Sequence, residues 1–451
     1  MADGVQDTAD ASAQVAMVQQ PHKQNGQTNT YDRKDQIEIL KGKVTVDMYQ
    51  LFLPEMNKPF QQGRGNTRSH PDHHGDEQQE ISFADMPGSP DQKAFQPLVC
   101  LHAAKLAYAL QLYICAMKAI IPVAGVGMRL RPHTYSQPKP LIPVAGKPIL
   151  GFIIDRLKQA GFKEFIFVIG YLGEKIESFV KEEYPDITSH FILQHTREGL
   201  GHAIWLCRDL VQEDEGVFIA LGDTIFEADL EAVMQEPVSA LGLKKVDDPR
   251  DFGVAEVDVE GMITRLVEKP TIPKSNLALV GLYKIREAKS LFEALETNIN
   301  NSYKTQGEFH LTDALMLLIK TGVKFRGFKV QNWYDCGKKE ILLETNAILM
   351  KKMGTTKHDQ FAYDNTIIID PVSIAHGCQI SNSIVGPNVT LGEGAVVNYS
   401  IIRDSIIGNY SNIDDVVLHH SVIGSDATIK GLSQSLSIGD NTEIDLSQSI
   451  S

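Results

Sequence analysis

The chain has 451 residues with 43 Lys or Arg and 57 Asp or Glu, a formal charge of −14, and 43% hydrophobic residues. At roughly 150 residues per domain this allows two or three domains, and the acidic balance excludes general binding to nucleic acid or to an anionic membrane, since phosphate surfaces select basic patches. Cys100, Cys115, Cys207, Cys336 and Cys378 are odd in number and lie far apart without a CxxC pair, so the spacing suggests neither a disulfide framework nor a zinc site, and a reducing cytoplasm is the simplest home.

Residues 1–30 contain no apolar core of a secretory signal. The longest apolar stretch, 106–117, is about 12 residues long and is interrupted by Gln111; a bilayer span needs ~20. Residues 1–97 are rich in Gln, Asp, Gly, Pro and His without a sustained period. Such a segment cannot bury enough apolar surface to offset its ordering entropy, so disorder is expected, and His70, His73 and His74 read as a solvated polar run. From Met117 the text changes to MKAIIPVAG, a short initiator followed by a buried strand. Met117 is therefore expected to be the natural start, and residues 1–116 an extension with no part in the chemistry.

Residues 117–353 alternate strand-like and helix-like patterns, which predicts a layered α/β domain with a largely parallel sheet. A strand at 118–123 leads into a Gly-rich loop and a helix at 148–160 closed by Gly161. Strands follow at 164–169, 190–194 and 217–221, with helices near 174–183 and 201–210. Runs at 253–257, 263–267 and 278–285 predict an antiparallel excursion, and helices at 311–320 and 338–353 close the domain. Residues 364–451 differ, with glycines at 386, 392, 408, 424 and 439 each following Ile, Val or Leu and a recurring Ser-Ile/Val phrase. A spacing near 16 residues reads as a parallel β-helix of hexapeptide units.

In open sheets, ligands bind beyond the carboxyl ends of the strands. The loop from Gly125 through Gly127 to Thr134 follows the first strand, and its backbone N–H groups can approach an anion. It lacks the Lys-Ser/Thr of a P-loop and the third glycine of a dinucleotide fingerprint. Arg129 lies within it, and Lys139 follows between Pro138 and Pro140, which stiffen its backbone.

The segment AGVGMRLRPHTYSQPKPLIPVAGKPI at 124–149 resembles the signature of the sugar-1-phosphate nucleotidyltransferases. The resemblance continues through Gly199-Leu-Gly-His-Ala203, Leu221-Gly-Asp223, Phe252-Gly-Val254, Glu268-Lys-Pro270, Ser275 to Gly281, Gly307-Glu-Phe-His-Leu-Thr-Asp313 and Trp333-Tyr-Asp-Cys-Gly337. It implies a Rossmann-like layered domain with a mostly parallel mixed sheet, followed by a short left-handed parallel β-helix. Met128 departs from the Thr or Ser usual there, removing a hydroxyl near the triphosphate.

The resemblance also implies the chemistry. A sugar phosphate oxygen attacks the α-phosphorus of a nucleoside triphosphate, UTP or dTTP, and pyrophosphate leaves, so several negative charges must be neutralised together. Arg129 and Lys139 are expected to be catalytic, neutralising the triphosphate, and Ala124, Gly125, Gly127, Gln194 and Gly199 to lie around the nucleotide. Asp223 and Asp335 are expected to ligate Mg2+, with Asp223 also catalytic. Gly253, Glu268, Lys269 and Val280 are expected on the sugar phosphate, with glucose 1-phosphate the foremost substrate. A non-catalytic sugar-nucleotide sensor and a bifunctional enzyme with acetyltransferase activity in the tail are the alternatives; the intact set Arg129, Lys139, Asp223, Lys269 and Asp335 favours the enzyme. His202, Cys336, His419 and His420 read as bystanders. The tail reads as an oligomerisation element that buries its open face against a copy of itself.

Overall fold

The computed structural model describes residues 117–354, 363–431 and 436–445, all within one compact unit. The expectations for residues 1–116 lie outside the described residues.

The first part runs β1 (Met117–Pro122), β2 (Pro143–Val144), β3 (Lys147–Pro148), α1 (Ile149–Gln159), β4 (Glu164–Ile169), α2 (Gly173–Glu183), β5 (Thr188–Leu193), α3 (Leu200–Trp205), β6 (Gly216–Ala220) and β7 (Thr224–Glu227). It continues with α4 (Leu230–Gln235), β8 (Ser239–Lys245), β9 (Gly253–Val257), β10 (Ile263–Glu268), β11 (Leu277–Ile285), α5 (Ala288–Asn300), α6 (Leu311–Lys320), β12 (Phe325–Lys329), β13 (Asn332–Asp335) and α7 (Lys339–Met353). The helix expected over 201–210 is shorter, because α3 stops at Trp205 and a separate 3-10 turn covers Arg208–Leu210.

Nine strands form one mixed sheet, ordered β10-β9-β11-β6-β1-β4-β5, with β8 pairing β11 and β12. Its Rossmann-like half is parallel, β1 lying between β4 and β6 and β4 beside β5. Its other half is the expected antiparallel excursion, β11 running against β6, β8 and β9. Side-chain parity explains why the central strands read as continuous apolar runs. Ala119, Ile121, Phe165, Phe167 and Phe218 enter one core with Ile153 and Leu157 of α1 and Val180 of α2. Ile120, Ile166, Val168, Val217 and Ile219 enter a second core with Ile204 of α3, Leu291 of α5 and Leu315 of α6. The sheet is thus buried on both faces, and each fully buried Ile, Leu or Phe contributes about 1.5–3 kcal/mol.

The C-terminal part is a parallel β-helix of three sheets with four, five and five strands. Parallel register carries Val372 to Val389, Thr390 to Ile406, Ile406 to Val422 and Val422 to Ser437, which accounts for the spacing near 16. The recurring glycines stack backbone on backbone: a Cβ on Gly408 would lie 2.5 Å from the Gly424 carbonyl carbon, and one on Gly424 would lie 2.4 Å from that of Gly439. The recurring serines staple the coils. Ser405 Oγ donates to Arg403 O at 2.7 Å and accepts from Ser421 N at 3.1 Å. His420 occupies a left-handed corner, φ 49°, as Asp404 does one coil earlier, φ 48°.

The β-helix packs on the α/β part. Ile406 and Val422 join its core. Asn346 of α7 accepts from Ala145 N at 2.8 Å and from Thr390 Oγ1 at 2.8 Å, and donates to Asn388 O at 3.1 Å. No helix among the described residues is long and apolar enough to cross a membrane.

Candidate active site

The loops beyond β1, β5 and β6 share one end of the parallel strands, and the candidate residues collect there. After β1, Val123 N still bonds Val168 O at 2.8 Å, and then the chain leaves the sheet. A Cβ on Gly125 would meet nothing within 4 Å, so this backbone faces open space. Gly127 is different. Its φ of 62° is left-handed, and a Cβ there would lie 2.8 Å from Thr134 Cγ2 and 3.0 Å from Lys139 Cβ. Thr134 Oγ1 donates to Gly127 O at 2.9 Å, closing the loop on itself.

Lys139 is buried, 6% exposed, in a 3-10 turn behind this loop. Its Nζ donates to Asp223 Oδ2 at 2.7 Å and to Asp335 Oδ1 at 3.4 Å. The Arg129 guanidinium, largely exposed, reaches Asp335 Oδ2 at 3.8 Å. Two short strands produce this arrangement. Asp223 follows Gly222, which has no room for a side chain because a Cβ would lie 2.2 Å from Val123 Cγ1. Asp223 immediately precedes β7, and β13 pairs antiparallel with β7, setting Asp335 opposite Thr224. Arg129, Lys139, Asp223 and Asp335, scattered in sequence, therefore meet. A buried lysine between two carboxylates is held by charge-assisted hydrogen bonds, and the carboxylates lose their repulsion only while a cation lies between them.

A second group surrounds Glu268, the last residue of β10. Its Oε2 accepts from Thr312 Oγ1 at 2.7 Å, and its Oε1 lies 3.5 Å from His310 Nδ1. Gly253 stands opposite Glu268 in the β9–β10 pair. A Cβ there would lie 3.1 Å from both Glu268 Oε2 and Thr312 Oγ1, so the missing side chain makes room for this network. Lys269 is exposed, and its left-handed φ of 39° is a costly conformation for a lysine. Lys269 N donates to Phe252 O at 3.0 Å. Phe252 meets Trp333, two residues before Asp335, edge-to-face at 4.9 Å, joining the two groups. Val280 is buried in the core beneath them.

The third group lies beyond β5. Gln194 is buried, and its Nε2 donates to Gly199 O at 3.2 Å and lies 3.1 Å from His202 Nδ1. Burial pulls the His202 imidazole below its ordinary value, and the ring stacks on Trp205 at 6.0 Å. The glycines of this loop have a packing cause. A Cβ on Gly199 would lie 2.6 Å from Phe309 O, and one on Gly201 2.8 Å from the same atom. Their side-chain directions are filled by the chain itself, so only glycine fits at either position.

A family model described as nucleotidyl transferase matches residues 118–352. The chain belongs to the nucleotidyl transferase family. It is 32% identical to the low-salt glycan biosynthesis nucleotidyltransferase Agl11 of Haloferax volcanii over 66% of this chain and 94% of that protein. It is 38% identical to the bifunctional protein GlmU of Methanocaldococcus jannaschii over 58% of this chain and 61% of that one. It is 32% identical to a glucose-1-phosphate thymidylyltransferase of Streptomyces griseus over 66% of this chain and 89% of that one.

Within this nucleotidyltransferase, Cys336 is buried beside Asp335. Burial pushes its thiol up to about 12 despite the neighbouring Lys139, and a thiol rather than a thiolate is a poor nucleophile or ligand. His310 and Thr312 were visible in the sequence as part of Gly307 to Asp313, but their role was not. It depends on the start of α6 meeting the end of β10, which no local pattern encodes. His310 Nε2 remains buried without a hydrogen-bond partner.

Proposed function

We propose that the chain is a magnesium-dependent enzyme that joins a nucleoside triphosphate, UTP or dTTP, to a hexose 1-phosphate, glucose 1-phosphate foremost, forming a nucleoside diphosphate sugar and pyrophosphate. The observation that carries this reading is the placement of Asp223 and Asp335 around the Lys139 ammonium, beyond the strand ends and beside the open backbone of Gly125. The glucose-1-phosphate thymidylyltransferase relative supports the choice of substrates.

In this reading the phosphate oxygen of the sugar phosphate forms a bond to the α-phosphorus as the bond to the leaving pyrophosphate breaks. The nucleophile is already anionic, so no general base is needed and positioning with charge neutralisation dominates. Lys139 and Arg129 neutralise the triphosphate, one as a buried point charge and the other as a fork. Glu268, oriented by Thr312, accepts hydrogen bonds from sugar hydroxyls, and Lys269 holds the sugar's phosphate. Gln194 and the Gly199 backbone face the base.

The donor set fits magnesium, which takes hard oxygen ligands and normally only one or two carboxylates from protein. Asp223 and Asp335 would hold it. When bound, the ion supplies charge neutralisation at the reacting phosphates. The free, separated Cys207, Cys336 and Cys378 suit a reducing cytoplasm. The test is pyrophosphate release over a matrix of nucleoside triphosphates and sugar 1-phosphates. UTP or dTTP with glucose 1-phosphate should give the highest kcat/KM; release with no pair would overturn the reading.

A further inference from the structure

The glycine column of the β-helix does not stop inside the β-helix. Gly392, Gly408 and Gly424 each face the next coil, but a Cβ on Gly439, the last of the series, would lie 3.0 Å from Pro132 Cβ and 3.3 Å from the Pro132 carbonyl carbon. The segment before Lys139 thus occupies the place of the next coil. Polar contacts fix it there. His133 Nε2 lies 3.0 Å from Ser437 Oγ, and Ser136 Oγ donates to Asp440 Oδ2. The other oxygen of Asp440 accepts from Ser425 N at 2.8 Å, anchoring the carboxylate to the preceding coil. His133 is 6% exposed, and burial together with the Lys339 charge pulls its imidazole down to about 4, so it meets Ser437 uncharged. From the opposite side, Tyr171 Oη donates to Tyr135 O at 2.7 Å and Lys175 Nζ to Ser136 O at 2.7 Å. Between these holds, Thr134 reaches Gly127.

We propose that the last described coil of the β-helix is a positioning element of the nucleotide site, holding residues 132–136 through Ser437, Gly439 and Asp440 so that the 125–139 loop keeps the shape that receives the triphosphate. This rests on the reading of that loop as the triphosphate cradle, and it gives the tail a role that needs no second copy of the chain. Asp440 and Ser437 touch no reacting atom; they act through Ser136 and His133. The consequence is directional. Loosening the coil disturbs the nucleotide half of the site, whereas the Glu268 network hangs on β10 and α6, which make no contact with this coil in any of the hydrogen bonds above.

The test uses the full chain carrying Asp440→Ala, Ser136→Ala, both together, Asp440→Asn, and Glu443→Ala as an exposed control on the same coil. Losing a charge-assisted hydrogen bond of this kind should raise the KM for the nucleoside triphosphate by about tenfold in Asp440→Ala and in Ser136→Ala, with the KM for sugar phosphate within about twofold. The double variant should be no worse than Asp440→Ala, since that variant has already lost the Ser136–Asp440 bond that Ser136→Ala removes. Asp440→Asn keeps an oxygen for Ser425 N and presents an amide to which the Ser136 hydroxyl can turn as acceptor, so it should restore the KM. Ser136→Ala leaves the coil's own bonds intact and decides the matter where Asp440→Ala unfolds the coil. Amide exchange over 127–139 should quicken in both single variants and not in Glu443→Ala, whether or not substrate turns over. Unchanged exchange, equal movement of both KM values, or additive effects in the double variant would overturn the proposal; a wild-type chain with normal exchange that turns over no substrate pair instead overturns the function on which it rests.

Discussion

Asp335 stands opposite Thr224 in the β7–β13 pair, and this register brings its carboxylate to the same Lys139 ammonium that Asp223 holds at 2.7 Å. A four-residue strand pair thereby sets the distance between the two carboxylates on which the site depends.

Replacing Lys139 by Met removes the cation between them. Turnover should fall by about 10²–10³, the loss typical of one preorganised group facing developing charge. Circular dichroism checks that the fold is kept. Divalent-ion binding to the nucleotide-free chain, followed by calorimetry, should tighten, because two unneutralised carboxylates then face one point.

Thr312→Val keeps the shape of the side chain but withdraws the donor to Glu268, whose side chain is only 11% exposed. An unsatisfied buried acceptor costs about 1–3 kcal/mol, so the KM for sugar phosphate should rise about tenfold. The KM for the nucleoside triphosphate should stay within about twofold, and steady-state kinetics with each substrate varied in turn checks both.

Gly199→Ala should destabilise the chain by about 2 kcal/mol or more. The position has φ 103°, and the new Cβ would press on Phe309 O at 2.6 Å. Because Phe309 precedes His310 and Thr312, the same variant should also weaken sugar phosphate binding. Thermal unfolding and the KM for sugar phosphate measure the two effects.

Lys284 gives a pH signature. It is fully buried and donates to the carbonyls of Val233, Met234 and Glu236 at the end of α4, and burial pulls its amine from 10.5 down to about 8. The unfolded chain therefore binds more protons than the folded one between about pH 8 and 10.5, and in that window this group adds stability as pH rises. Below pH 8 the buried charge is carried in both states and its cost is fully present. The Tm of the wild type minus that of Lys284→Met should increase from pH 8 to pH 10; a flat difference would contradict the assignment.

Much of the molecule was legible in the sequence where one physical signal dominated. The central strands read clearly because residues such as Ile120 and Ile121 are buried on opposite faces of one sheet, and the coils read clearly because each Gly must let the next backbone approach. Asp223 and Asp335 could be named from their motifs, but the strands that bring them together, β7 and β13, are too short to show a period. The expected elements also omit α5, although Leu291, Phe292 and Leu295 have helical spacing. Gly199 could be named from its motif, but the approach of Phe309 O that leaves no room for a Cβ at Gly199 or Gly201 joins distant segments and has no local signature. The contacts of Thr312 with Glu268 and of Asp440 with Ser136 join distant segments, and neither has a local signature.

Nucleotidyl transfer at this site requires the carboxylates of both Asp223 and Asp335. Its most direct test is the joint yield of pyrophosphate and nucleoside diphosphate sugar from one incubation with magnesium, for the wild type, Asp223→Ala and Asp335→Ala at equal folded concentration. The wild type should give equimolar products and either variant none above background; full activity in either variant would contradict nucleotidyl transfer at these carboxylates.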